Sequence, residues 1–218
     1  MVIAIDGPGG VGKTTVTRRL ATVLGLEFLD TGATYRAATV AVLRSGVDPL
    51  DGKAVLGVVR AGSIGYDDGI ILLDGESVVE EVRSEAVTQN VSAVSAHAPV
   101  RTHLVNMQRD WVRDSGGRAV VEGRDIGTVV FPEAPVKIFL SAAPEVRAAR
   151  RAGDAEAAEQ GVAEIVADLQ RRDRADSTRE ASPLRKADDA VEVDTSSMDI
   201  EEVVATILGV VSDRRSES

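Results

Sequence analysis

Short, nearly continuous apolar runs recur along the chain at Val2–Ile5, Ala119–Val121, Val136–Leu140 and Ala190–Val193, with Glu27–Leu29 a fifth segment of the same length. Runs of this kind predict strands buried on both faces of a parallel sheet. Between them the apolar positions change to a helical period. Val16, Leu20, Val23 and Leu24 form one stripe that Gly25 ends as a C-cap. Val100, Leu104, Met107 and Trp111 form another, with Pro99 at its start and Ser115-Gly116-Gly117 at its stop. Ile200, Val203, Val204, Ile207, Leu208 and Val211 form the last, led by Asp199, Glu201 and Glu202 at its positive end. Strands alternating with helices of this length predict a doubly wound α/β domain.

Three segments depart from the alternation. From about 57 to 87 the strand-like Ile70–Leu73 is flanked by Asp67-Asp68-Gly69 and Asp74-Gly75, the turn chemistry of a small antiparallel meander, and this reads as an inserted subdomain. The stretch 144–161 is rich in Ala, Arg and Glu, clusters Arg147, Arg150 and Arg151, and reads as a mobile helical flap outside the main core. The tail from Ser212 to Ser218 is expected to fray. One domain over 1–218 is therefore expected, with core segments 1–56, 88–143 and 162–218 around a 57–87 insert and a 144–161 lid.

Composition narrows the chemistry. Apolar residues at 44% and charged residues at 28% of 218 positions supply a sizeable core, which excludes wholesale disorder. A net charge of -10 disfavours coating nucleic acid, and aromatics at 3% are too few for a base-stacking platform. The absence of cysteine removes thiolate catalysis and cysteine zinc sites. No export signal and no membrane-length apolar run are visible, so a cytoplasmic chain without membrane or nucleic-acid partners is expected. Nothing demands a dimer, and a monomer is expected.

Gly7-Pro8-Gly9-Gly10-Val11-Gly12-Lys13-Thr14 fits the pattern GxxxxGK[ST] between a buried strand and an amphipathic helix. Such a loop turns backbone N–H groups toward phosphate oxygens at a helix N-terminus. Lys13 is expected to reach the β- and γ-phosphates of ATP and Thr14 to help hold Mg²⁺, with Thr15 beside it in the ATP site. The asparagines, Asn90 and Asn106, do not precede a lysine, so a GTPase base-reading motif is missing. The strand Ala119-Val120-Val121 runs instead into Glu122-Gly123-Arg124-Asp125, at the edge where open parallel sheets bind ligands. Further arginines stand in separate segments at Arg36, Arg101, Arg172 and Arg179, and guanidinium groups bind dianions bidentately, so a phosphorylated acceptor is indicated.

Four motifs then resemble those of bacterial cytidylate kinases: IDGPGGVGKTT at 5–15, LDTGATYR at 29–36, EGRDIGTVVFPEAPVKIFL at 122–140 and RDRADSTREASPLRKADDA at 172–190. The resemblance covers nearly the whole chain. It implies a five-stranded parallel phosphate-loop sheet flanked by helices, an inserted antiparallel monophosphate-binding segment, and Mg²⁺-dependent transfer from ATP to CMP or dCMP. Among the acceptor residues it implies Arg36 and Arg124 toward the CMP phosphate, Ser92, Arg101 and Asp125 toward cytosine, and Thr31 and Tyr35 as further CMP-binding residues. Arg172 and Asp176 are implied at the sugar, with Arg179 in support. Catalysis is assigned to Lys13 and the flap residues Arg147, Arg150 and Arg151. Thr31 stands where many members carry Ser, and Gly9 where they carry a small hydroxylated or methyl residue. The stretch from Gly161 to Arg172 is shorter than in some relatives. The rival expectations are another phosphate-loop kinase, for shikimate or a different nucleotide, and a catalytically idle nucleotide-binding module.

Overall fold

The computed structural model describes residues 1–67, 69–153 and 161–216. The chain divides into two compact units, Met1–Leu29 with Trp111–Ser218, and Asp30–Asp110.

The first unit is built on a five-stranded parallel sheet. In chain order its strands are β1 (Val2–Asp6), β2 (Glu27–Asp30), β6 (Ala119–Gly123), β7 (Val136–Ser141) and β8 (Val191–Asp194), arranged β2-β6-β1-β7-β8. Helix α1 (Lys13–Leu24) returns from β1, and Gly25 caps it in the left-handed region at φ 60 with its N–H on the last-turn carbonyls, as the sequence predicts. Ile3, Ile5, Val120, Ile138 and Leu140 of the strands pack with Val16 and Leu20 of α1 and with Val203, Ile207 and Val211 of α8 (Ile200–Ser216). The expected fraying from Ser212 is not what the described residues show. Helix α8 runs on to Ser216, because Val211 is buried and Arg214 and Arg215 complement the helix C-terminus. Ile200, at the other end, is exposed, so the buried stripe begins one turn later than expected.

The segment expected as a flap begins as α6 (Pro144–Ala152), with Pro at the helix start where its missing N–H costs nothing. Ala148 of α6 packs on Ile165 and Leu169 of α7 (Val162–Thr178), so this helix has a core of its own. The remainder of the expected flap, 154–160, lies outside the described residues. Arg172, Asp176 and Arg179 are spaced i, i+4 and i+7, a spacing that predicts one face of a continuous helix, but α7 stops at Thr178 and Arg179 is its C-cap with extended ψ of 142.

The second unit holds α2 (Thr31–Arg44), α3 (Gly52–Ala61), the antiparallel sheet β3-β4-β5 (Ile64–Asp67, Ile70–Leu73, Glu76–Ser77), a short 3₁₀ turn at Glu81–Arg83, α4 (Glu85–Ala96) and α5 from Ala98, which ends at Asp114. The meander expected at 57–87 is therefore preceded by the end of a helix and followed by the start of another, and the compact unit that carries it is 30–110. Its second hairpin pairs Leu73 with Glu76 across Asp74 and Gly75, both at positive φ (54 and 81), the two-residue turn that matches the twist of paired strands. Asp68 of the first turn lies outside the described residues. Tyr35, Ala38, Val42, Val55, Val59, Val94, Val100 and Leu104 form one apolar cluster of this unit, and Ala37, Val40, Ile71, Leu73 and Val87 contribute to another.

Candidate phosphoryl-transfer site

Strand β1 delivers Asp6 to the head of the 7–14 loop. Gly7 follows at φ 152, and a Cβ there would stand 2.3 Å from the Leu140 carbonyl oxygen, so only glycine lets the loop leave the sheet beside β7. Gly12 is the helix N-cap in the left-handed region at φ 87. It provides no side-chain cap, and the first turn of α1 carries no acidic residue. The leading N–H groups of α1 are thus not answered by a capping side chain, the arrangement that favours a bound anion. Thr14 and Thr15 of that turn are exposed.

Lys13 is buried and arches back over the loop, donating from Nζ to the carbonyls of Gly7 (2.9 Å) and Pro8 (2.7 Å). Arg147 and Arg150, expected on a mobile element outside the core, are bonded to the same loop. Arg147, itself buried, donates from Nε to the Gly9 carbonyl at 2.7 Å. Arg150 donates to the Val11 carbonyl at 3.3 Å and to the Thr195 side chain and carbonyl at 2.8 and 2.7 Å. Arg151 is half-buried on the same helix.

At the end of β6, Arg124 bridges the loop and α7: its guanidinium donates to the Gly7 carbonyl at 3.1 Å and to Asp176 at 2.8 Å. Burial alone would lower the Arg124 pKa, but the Asp176 carboxylate beside it raises it on balance and keeps the group cationic. Asp176 also accepts from Arg179 at 3.4 Å, and Arg179 donates to the Ser182 carbonyl at 2.6 Å. Arg124, Asp176 and Arg179 therefore form one ion-paired row, with half-buried Arg172 one turn before Asp176 on α7.

Asp125 is buried and opens a wide helical turn over Ile126–Val130, its carbonyl accepting from Val129 and Val130. That turn is held from outside by Asp6, whose two carboxylate oxygens accept from the Ile126 and Gly127 N–H groups, each at 2.8 Å. Burial pushes the Asp6 carboxyl up to about 6 from 3.8; the two backbone bonds and Lys13 oppose the rise, and Asp125 adds to it.

The second unit holds the remaining expected residues. Asp30 caps α2 by accepting from the Ala33 N–H at 3.0 Å, which fixes the start of the helix that carries buried Thr31 and Tyr35. Arg36 donates to the Val82 carbonyl (2.8 Å) and the Thr88 hydroxyl (3.2 Å). Arg101 is buried with its guanidinium 4.9 Å from the Tyr35 ring centroid and donates to the Ser95 carbonyl. Ser92, one turn earlier on α4, is half-buried.

Several neighbours of these groups are given no role by the sequence reading. Asp6 is recognisable only as the residue before the loop. Asp173 accepts from the Gly9 N–H at 3.4 Å and pairs with Arg147, a contact spanning 164 positions. Gln108 is buried and donates to the Thr34 hydroxyl at 2.8 Å, while Thr34 donates to the Thr31 carbonyl. The glycine at position 9 also has a local reason: a Cβ there would stand 3.3 Å from Leu169 of α7, which occupies the space a larger side chain would need.

Comparison with known proteins follows the same lines. The cytidylate kinase family model matches residues 3–213. A cytidylate kinase of Rhodococcus opacus (strain B4) is 53% identical over 98% of this chain and 96% of its own length. One of Mycobacterium leprae (strain Br4923) is 50% identical with the same coverage. In fold alone the chain resembles the crystal structure of a gluconokinase from Sinorhizobium meliloti 1021, with a TM-score of 0.51 at 15% identity over 100% of this chain and 97% of that one.

Proposed function

The chain belongs to the cytidylate kinase family, and we propose that it transfers the γ-phosphoryl group of ATP to CMP and dCMP with Mg²⁺ in attendance. Membership makes it a nucleoside monophosphate kinase with ATP as donor. The choice of cytosine, the use of the deoxynucleotide and the residue roles are the proposal. The observation that supports it most is the row Arg124–Asp176–Arg179 tied to the Gly7 carbonyl, which brings two guanidinium groups next to the 7–14 loop.

An oxygen of the acceptor phosphate attacks the γ-phosphorus in line, a new P–O bond forms, the bond to the β-phosphate oxygen breaks, and ADP leaves. No protein nucleophile is needed; alignment and charge neutralisation lower the barrier. On this reading the uncapped first turn of α1 and the 7–12 backbone take the donor phosphates. Lys13 leaves the Gly7 and Pro8 carbonyls for β- and γ-oxygens, and Arg147, Arg150 and Arg151 neutralise charge on the moving group. The exposed Thr14 hydroxyl, in the first helical turn, is the side chain that would hold the cation. Such an ion, when bound, neutralises charge on the β- and γ-oxygens.

For the acceptor, Arg124 and Arg36 are assigned to the phosphate, and Thr31 and Tyr35 to CMP binding. Arg172 and Asp176 are assigned to the sugar, supported by Arg179. Asp125 accepts from the cytosine amino group, while Arg101 and Ser92 serve the ring acceptors. Uracil puts a carbonyl where cytosine has its amino group and so sets oxygen against carboxylate, at a cost of about 1–3 kcal/mol. An acceptor screen by coupled ADP release tests the proposal: CMP and dCMP should stimulate release strongly and UMP weakly, and equal stimulation by all three would refute the base assignment.

A further inference from the structure

We propose that Asp173 is a positioning residue of the phosphate site, standing in for a phosphate oxygen in the nucleotide-free protein and giving up its partners when a phosphate chain arrives. The inference rests on the reading of the 7–14 loop as the donor-phosphate site and goes beyond it in assigning a residue that neither the loop pattern nor the acceptor row contains.

The geometry is confined to the first unit. The Gly9 peptide is gripped on both sides: its carbonyl accepts from Arg147 Nε at 2.7 Å, and its N–H donates to Asp173 Oδ1 at 3.4 Å. The other carboxylate oxygen of Asp173 pairs with the Arg147 guanidinium. Asp173 thus accepts from a loop amide and from an arginine assigned to the transferred group. A phosphate oxygen makes both of those interactions, so phosphate and carboxylate compete for the same donors. At 3.4 Å the amide bond is long, and little is lost when it is exchanged. The Arg147 pair is the stronger half, with side chains only 10% and 23% exposed, so water screens it weakly. Asp176, three residues on, is engaged elsewhere, with Arg124 and Arg179, so Asp173 is not a further member of that row.

In the absence of nucleotide Asp173 keeps Arg147 seated on the loop. Because the carboxylate must be displaced, the apparent affinity for nucleotide is scaled down to the fraction of molecules in which the loop is free of it. The test records ¹H–¹⁵N spectra of wild-type and Asp173→Asn proteins, free and saturated with ADP, together with ADP dissociation constants by calorimetry. The expected result is a Gly9 amide resonance that differs between the two proteins without nucleotide and coincides at ADP saturation, with Asp173→Asn binding ADP about fivefold more tightly. A loss of charge with no displacement would alter affinity without moving the Gly9 amide. Identical Gly9 resonances in the free proteins, a difference that persists at saturation, or equal or weaker ADP binding by the variant would each overturn the inference alone. Failure of wild-type protein to bind ADP would remove the phosphate-site reading itself, and the inference with it. Asp173→Ser, measured in parallel, gives the same comparisons should the asparagine variant not fold.

Discussion

Lys13 carries the largest single charge effect in the proposed chemistry. Its ammonium donates to the Gly7 and Pro8 carbonyls, bonds that a phosphate oxygen can replace with a stronger charge-assisted one. Lys13→Ala should lower kcat by about 10²–10³-fold, with a smaller change in KM for CMP, because the lost interaction strengthens as charge moves onto the leaving oxygens. Near-normal turnover in the folded variant would refute the assignment. Asp6 gives a stability prediction with a definite sign. Its folded pKa, about 6 against an ordinary 3.8, means the folded state holds the proton more tightly. The stability this contributes is fully present below pH 3.8 and lost as pH rises through about 6, a swing on the order of 3 kcal/mol. Asp6→Asn cannot titrate, so the difference in urea unfolding free energy between variant and wild type should change between about pH 4 and about pH 7. A constant difference would contradict the burial argument.

Among the elements, the strand-to-loop junction is the least tolerant of change. Gly7→Ala would drive a methyl group into the Leu140 carbonyl, and β1 and β7 are paired in register there, so neither strand can retreat alone. A loss above about 3 kcal/mol is expected by denaturant titration, and a loss under about 1 kcal/mol would show that the loop can leave the sheet by another path. Helix α6 gives the complementary case. Arg150→Ala removes the bonds to Val11 and Thr195 while leaving the Ala148, Ile165 and Leu169 cluster in place. The protein should stay folded and lose at least about tenfold in kcat; full activity would leave Arg150 with an anchoring role only. At this scale the sequence is informative where a single residue or a local period decides the outcome. The five strands of the parallel sheet, the Gly25 cap and the Asp74-Gly75 turn were all legible for that reason. Helix α2 was not, because its first turn opens on Thr31, Gly32 and Thr34, poor helix formers; the Asp30 cap and the burial of Ala37, Ala38, Val40 and Val42 make it helical. The wide turn at Ile126–Val130 was invisible as well, since Asp6 supports it from 120 positions away.

For the whole molecule, the phosphate loop alone indicates phosphate binding and leaves the acceptor open. Under the proposed function the acceptor is narrowed by residues far apart in sequence, Arg36, Arg101, Arg124, Asp125, Asp176 and Arg179, whose types and motifs the sequence displays. Their local partners, such as the Val82 carbonyl for Arg36 or the Ser182 carbonyl for Arg179, emerge only in the fold. Transfer from ATP to a cytosine monophosphate would be read out by steady-state ADP release. Release would be followed for wild-type and Asp125→Asn proteins with CMP, UMP and no acceptor. Wild-type protein should show kcat/KM for CMP at least about tenfold above that for UMP, with little release when acceptor is absent. Asp125→Asn offers an amide that can donate to the uracil carbonyl, so it should lose CMP activity and narrow the ratio. ADP release that CMP does not stimulate in the wild-type protein would contradict the account.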